Sequence, residues 1–282
     1  WPMPDLDAWQ KYVRTLASRW GDRLYSLEVW NEPDLRTNGN FTSREYFKML
    51  KAANDAAKSV NPGLQIQSGG LAGIDLPASI SADPRYAWKL LKDEAANYDV
   101  FALHNHQVYL GYEDMVGRFL KYRREARTGK PWYANETAVS SMNGTERNQA
   151  LTLFKKLIFA WARGAVGYNW YNLRNDGFDP MNAEHNYGMM SFDFQPKPVY
   201  SVFNMLAGTF REARFLRPLE TGDDFPAFVF ADGKNLLIPA WNESGSGSTL
   251  SVALRTDAAA ASVIDLMGNE VPQETEQGVA LL

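Results

Sequence analysis

Two Asn-Glu pairs are the residues best placed to do chemistry. Val29-Trp30-Asn31-Glu32-Pro33-Asp34 and Tyr133-Ala134-Asn135-Glu136-Thr137 each close an apolar stretch on a glutamate. Each glutamate falls where a β-strand should give way to a loop. Two carboxyl groups on separate strand ends suit the cleavage of a glycosidic bond. One protonates the leaving oxygen and the other acts at the anomeric carbon. Between the pairs, the run Asp99-Val100-Phe101-Ala102-Leu103-His104-Asn105-His106 ends on two histidines, with Tyr109 just beyond. A His pair two residues apart can also bind a metal, but the sequence offers no evident third ligand, so no metal site is expected. Glu28 shares a strand face with Glu32 and is expected to be structural, paired to an arginine.

The elements that must carry these groups alternate strand and helix. Residues 7–19 read as a helix with Trp9, Val13 and Leu16 on one face. Residues 24–30 read as a strand. Thr42-Ser43-Arg44-Glu45 is a capping box that opens the next helix, and Asn61-Pro62-Gly63 stops it. Strands are then expected over 64–68, 99–104, 132–135 and 165–171, and helices over 87–96, 113–127, 147–163 and 197–210. Ser68-Gly69-Gly70 reads as a tight strand-to-helix loop. Repeated βα units of this length imply a parallel sheet with helices outside. Beyond about residue 217 the texture changes to short strands, over 225–230, 236–241, 249–254 and 262–266. Asp232-Gly233 signals a hairpin and Gly245-Ser246-Gly247-Ser248 a flexible loop. A strand starting at Val279 has nothing after it. The expected domains are residues 1–215, an α/β layer carrying the site, and residues 216–282, a small antiparallel β-domain.

Composition removes several other classes. The net charge of −4 gives no reason to expect nucleic acid or an anionic membrane as partner. No run approaches the ~20 apolar residues of a membrane helix. With no cysteine, disulfides and thiolate metal sites are excluded, while the compartment stays open. Gly-x-Ser-x-Gly and phosphate-cradling glycine loops are absent, which disfavours an open α/β hydrolase or transferase. Aromatics reach 13%, with nine Trp, a content that core packing or a sugar-binding cleft would equally use.

The Trp-Asn-Glu-Pro run and the Tyr-Ala-Asn-Glu run resemble the two catalytic motifs of clan A of the glycoside hydrolases, retaining enzymes built on a (β/α)₈ TIM-type barrel. With residues 197–200 and the trailing β-domain, the layout is most similar to the β-xylosidase and α-iduronidase family of that clan. The resemblance implies that Glu32, ending the fourth strand, is the acid/base and Glu136, ending the seventh, is the nucleophile. Asn31 would bind the sugar 2-hydroxyl, and Trp170, ending the eighth strand, would floor the sugar site. His104 and His106 would lie against the substrate. Many members carry a tyrosine where His106 stands, so Tyr109 is a candidate substitute for that tyrosine. Asn175, Asp176, Glu184 and His185 follow the eighth strand and could also contact substrate. The implied substrate is a plant-type oligo- or polysaccharide cleaved at β-linkages, with no cofactor. By this numbering the chain holds strands four to eight only, which leads to the expectation of a fragment whose open barrel edges are covered by self-association. The alternative is a non-catalytic remnant or sugar-binding scaffold of the same fold.

Overall fold

The computed structural model describes residues 2–233, 235–245, 253–255, 261–273, 275–276 and 279–281. The chain forms two compact units, Trp1–Ala138 with Gly164–Tyr171, and Val139–Arg163 with Asn172–Leu282.

In the first unit, helix α1 (Leu6–Trp20) starts at Asp5, whose carboxylate accepts the Ala8 N–H at 2.9 Å. Strand β1 (Ser26–Glu28) follows. Helix α2 (Ser43–Lys58) opens on the expected capping box, with Thr42 Oγ1 accepting from the Glu45 N–H and Glu45 Oε2 from the Thr42 N–H at 2.8 Å. Asn61 Oδ1 then accepts from Gly63 and Leu64, which turns the chain into β2 (Gln65–Gln67). Next come α3 (Tyr86–Asp93), β3 (Phe101–Asn105), α4 (Tyr109–Glu125), β4 (Trp132–Thr137) and, after a passage through the second unit, β5 (Ala165–Trp170).

These five strands run parallel in chain order. Leu27 pairs with Ile66, Phe101 with Trp132 and Tyr133 with Gly167. Single parallel bridges, Gln67 with Val100 and Leu71 with Leu103, join β2 to β3. The C-terminal ends of the strands therefore share one edge, and both Asn-Glu motifs lie on it. Beneath that edge Phe101, Phe119 and Trp132, all buried, stack at 4.8 and 5.5 Å between ring centres. Helix α4 begins four residues before its expected start. Tyr109 and Tyr112 are buried on the same face as Met115, Val116 and Phe119, so the apolar stripe extends back through two tyrosines that read as loop. Helix α3 ends three residues short of its expected end.

The second unit holds α5 (Glu146–Ala162) and α6 (Pro198–Thr209), which pack together. An antiparallel sheet follows, made of β6 (Arg214–Pro218), β7 (Phe228–Ala231) and β8 (Leu236–Leu237). Phe230 packs against Phe210, Trp161 and Phe215. The Asp232-Gly233 signal does mark the β7–β8 hairpin, where the Asp232 N–H reaches the Asn235 carbonyl at 3.2 Å. Short antiparallel pairs complete the chain: β10 (Ala261–Ile264) with β11 (Glu270–Gln273), and β13 (Val279–Leu281) with β9 (Ala253–Arg255) and β12 (Thr275–Glu276). The strand at Val279 thus has two partners. Arg214–Pro218 was not expected as a strand, because its charged residues break the apolar alternation. Residues 246–248 of the glycine-serine loop and 249–252 of the strand expected over 249–254 lie outside the described residues. The two units also divide the chain differently from the expected boundary at residue 215, since α5 and α6 group with the later strands.

Candidate active site

Glu32 is held on a short, strained loop. Beyond β1 the Val29 N–H still bonds the Gln67 carbonyl at 3.2 Å, and the Tyr46 hydroxyl donates to the Val29 carbonyl at 3.1 Å while accepting from the Gly69 N–H. Trp30 and Glu32 then adopt φ values of 72° and 45°. For residues with a β-carbon each such conformation costs about 1–3 kcal/mol, and it persists only where the surroundings hold it. The Glu32 N–H is fixed by the Gly70 carbonyl at 3.1 Å. Asp34 lies buried beneath, its two carboxylate oxygens accepting the Ala72 and Gly73 N–H groups at 3.1 and 3.2 Å. Burial pushes the Asp34 carboxyl up to about 7 against those hydrogen bonds, and the charge of Glu32 adds to the rise.

Glu136 comes from strand β4, at a point where the β4–β5 register shifts. It is half-buried near the end of β4, opposite His104 in the β3–β4 register, and its neighbour Thr137 pairs with Trp170 of β5. His106 Nε2 lies 3.0 Å from Glu136 Oε1, and the His106 ring stacks on Tyr171 at 5.8 Å and 16°. That hydrogen bond is the largest influence on Glu136. With the charges of both histidines it holds the carboxyl below the usual range in spite of burial.

One imidazole joins the two motifs. His104, 2% exposed, sets Nδ1 3.2 Å from Glu32 Oε1 and 3.8 Å from Glu136 Oε2, while Nε2 lies 3.7 Å from Glu28 Oε1. Burial alone would lower its proton affinity. Glu28, Glu32 and Glu136 outweigh burial and raise the pKa from 6.5 to about 9. At neutral pH His104 is thus held protonated among the carboxyl groups of Glu28, Glu32 and Glu136. Glu32, His104 and Glu136 each place one ligand-type atom within 4.8 Å of the others, a spacing that could hold a metal ion.

The structure thus gathers Glu32, Glu136, His104 and His106 at one point. Trp170 stands one strand over, and Asn31 is exposed at the loop, with a backbone bridge to Gly70. Tyr109 is buried in the first turn of α4, and the position beside Glu136 Oε1 is filled by His106. Glu28 differs from its expected pairing. Its described partners are His104 and the Gly70 N–H, at 2.7 Å, rather than an arginine. Asn175, Asp176, Glu184 and His185 belong to the second unit. Asn175 Oδ1 accepts the Gly188 N–H, Asp176 Oδ1 accepts from Asn172, and His185 Nδ1 accepts the Asp179 N–H, so three of the four serve their own loop.

Three contributors went unread in the sequence. Gly70 is required because a β-carbon there would overlap the His104 ring. Asn38 donates to Glu32 Oε2 at 2.9 Å. Asp34 clamps the loop below. The Gly-Gly after a strand was the available signal for Gly70. Nothing in local pattern marks Asn38.

The comparisons bear on the family and on the α/β fold. Residues 2–109 match the family model of glycosyl hydrolases family 39, a stretch that includes Glu32 and His104. The match fits the clan A, β-xylosidase-type resemblance carried by the two motifs. Among solved structures, a family 39 glycoside hydrolase from the gut symbiont Bacteroides cellulosilyticus WH2 superposes with a TM-score of 0.79 at 21% identity, over 100% of this chain and 61% of that one. A glucosidase from Croceicoccus marinus gives 0.66 at 14%, over 96% and 60%. A family 39 β-xylosidase from Caulobacter crescentus gives 0.57 at 16%, over 81% and 54%. At these identities the likeness is one of α/β fold, and the chain spans about 60% or less of the length of these structures. No curated protein sequence matches the chain significantly.

Proposed function

We propose that the chain carries the catalytic pair of a retaining glycoside hydrolase, acting on β-linkages of plant-type oligo- or polysaccharides. In this reading its five parallel strands are the fourth to eighth of a (β/α)₈ barrel. The observation that carries the proposal is the single His104 ring set between Glu32 and Glu136, with carboxyl oxygens of the two within 4.8 Å of each other. Retaining enzymes keep their carboxyl groups about 5–5.5 Å apart, and inverting enzymes, which must fit a water between them, about 6.5–9.5 Å.

Glu136, ionised and oriented by His106, attacks the anomeric carbon. Glu32 gives its proton to the leaving oxygen. A glycosyl ester on Glu136 results, and Glu32, now a carboxylate, removes a proton from the water that cleaves the ester. His104 makes the exchange of roles inexpensive. At the start, with the proton on Glu32, its cation stabilises the carboxylate of Glu136. When Glu136 becomes a neutral ester, the same cation is left to stabilise the carboxylate of Glu32. Asn31 meets the sugar 2-hydroxyl, and Trp170 supplies an apolar floor.

A panel of nitrophenyl glycosides, with product stereochemistry followed by NMR, tests this. Retention is expected. Glu136→Gly should abolish turnover, and azide should restore it as a glycosyl azide of the opposite anomer. Net inversion would refute the two roles. A chain inactive on the whole panel would favour a sugar-binding scaffold.

A further inference from the structure

Asn38 sits in a 3₁₀ turn, Arg36–Asn38, six residues past Glu32 and outside both Asn-Glu motifs. It makes two contacts with the strained loop. Its side-chain amide donates to Glu32 Oε2 at 2.9 Å, and its carbonyl accepts the indole N–H of Trp30 at 2.6 Å. Trp30 and Glu32 are the two residues of that loop with positive φ, and they flank Asn31. The Trp30 ring is itself wedged edge-on against Phe41 and Trp9, at 5.3 and 6.5 Å between centres. The other Glu32 oxygen faces His104 Nδ1 at 3.2 Å. The two oxygens of one carboxyl are therefore held by two different side chains, which fixes the plane of the group. A carboxyl on a flexible three-carbon side chain, on a loop with strained backbone, needs such a grip to deliver a proton along one line.

We propose that Asn38 is a positioning residue for Glu32: its amide aims the carboxyl, and its carbonyl ties the same turn to Trp30 on the other side of Asn31. The role rests on the reading of Glu32 as acid/base. It separates Asn38 from a purely structural residue, because only steps that need Glu32's proton should feel its loss. For Asn38→Ala, turnover of an alkyl or sugar glycoside, whose leaving group needs protonation, falls about tenfold, part of the roughly 10²–10⁴ that a positioned acid supplies. Turnover of the dinitrophenyl glycoside of the same sugar, whose leaving group departs unaided, changes less than about twofold in its glycosylation step. Asn38→Asp, of the same shape but without the donor, gives the same split and guards against a variant that fails to fold. Both variants keep the backbone carbonyl that holds Trp30.

A second measurement needs no activity. In the unaltered protein the Asn38 side-chain amide proton facing the carboxylate is shifted downfield by NMR, and in Glu32→Ala it returns to the ordinary amide range. Equal losses on both glycosides, or no loss on either, overturn the positioning role. So does an Asn38 amide resonance indifferent to Glu32→Ala. If instead Glu32→Gln leaves turnover of the poor leaving group intact, the acid/base reading fails, and the amide resonance alone decides whether Asn38 holds Glu32.

Discussion

Gly70→Ala is the sharpest perturbation of this site, because it adds one methyl group and removes nothing. A β-carbon at position 70 would come about 1 Å inside the 3.0 Å that real Cβ contacts keep from their neighbours, and the atom it meets is His104 Nε2. His104 is a ring on a central strand, 2% exposed, with no free end to swing aside. It must move by about 1 Å, away from Glu28 and out of its place between Glu32 and Glu136. The three carboxylates together lift its pKa from 6.5 to about 9, a difference worth about 3 kcal/mol. Much of that interaction is lost with the displacement, and overpacking costs a further 1–3 kcal/mol or so. A misplacement of about 1 Å near reacting groups can lower turnover about a hundredfold. With three histidines in the chain, the His104 imidazole can be followed directly by NMR titration. In Gly70→Ala it should titrate well below 9, with lower stability in urea. Gly117→Ala is the control, since nothing lies within 4 Å of a β-carbon in that turn of α4, and it should stabilise by about 0.5–1 kcal/mol. A His104 that still titrates near 9 in Gly70→Ala, with activity intact, would show that the contact with Gly70 does not set the site.

Three further outcomes follow from the buried charges. His104 carries a raised folded-state pKa, so its contribution to stability is complete below 6.5 and disappears as pH climbs through about 9; the difference in urea stability between the unaltered chain and His104→Gln should shrink across that window. Asp34 is raised from 3.8 to about 7, first by burial, so stability associated with it should decline between about pH 4 and 7, and Asp34→Asn should flatten that slope; equal slopes in the two proteins would count against a buried, protonated carboxyl. In the second unit Lys197 donates to Ser141 Oγ at 2.8 Å and the Gly188 carbonyl at 2.7 Å, with longer contacts to Asn175 and Asn186. Lys197→Met, which strips these buried acceptors of a donor, should cost about 2–4 kcal/mol in urea unfolding.

The parts of this protein legible in its sequence are those whose cause is local. The capping box at Thr42, the stop at Asn61-Pro62-Gly63 and the Asp232-Gly233 hairpin each state their geometry in a few adjacent residues. The two glutamates were legible for the same reason, because an apolar run ending on Asn-Glu places a carboxyl at a strand end. Their grouping followed from parallel strands in chain order. What stayed hidden depends on residues far apart. The Gly70–His104 fit joins two strands, and nothing in either segment announces it. The partner of Glu28 was misassigned because a carboxylate on a strand face was read as needing a cation, and the sequence does not say that the nearest is a histidine from β3. Helix α4 was read late since Tyr109 and Tyr112 do not look like core until Phe119 and Met115 share their face.

The two Asn-Glu motifs look alike as sequence and are unlike as structure, and the difference suits their proposed roles. Glu136 stands within strand β4, in register with His104 of β3, next to Thr137, which pairs with Trp170 of β5, and with His106 on one oxygen. A nucleophile that forms and breaks a covalent bond gains from a backbone that does not yield. Glu32 stands on a loop with φ of 45°, gripped through its side chain by Asn38 and His104. A proton carrier must serve two oxygens in turn, the leaving group's and then water's, while its charge changes each time. Such a carrier is better fixed by hydrogen bonds that survive either charge state than by a strand ladder that would set its backbone but not its carboxyl plane. The strain of about 1–3 kcal/mol at each of Trp30 and Glu32 is then the cost of turning the strand end so that its carboxyl faces His104. Both Glu32→Ala and Glu32→Gly should abolish proton transfer and lose the contacts to His104 and Asn38, but Glu32→Gly, freed of the positive-φ strain, should be the more stable of the two in urea unfolding.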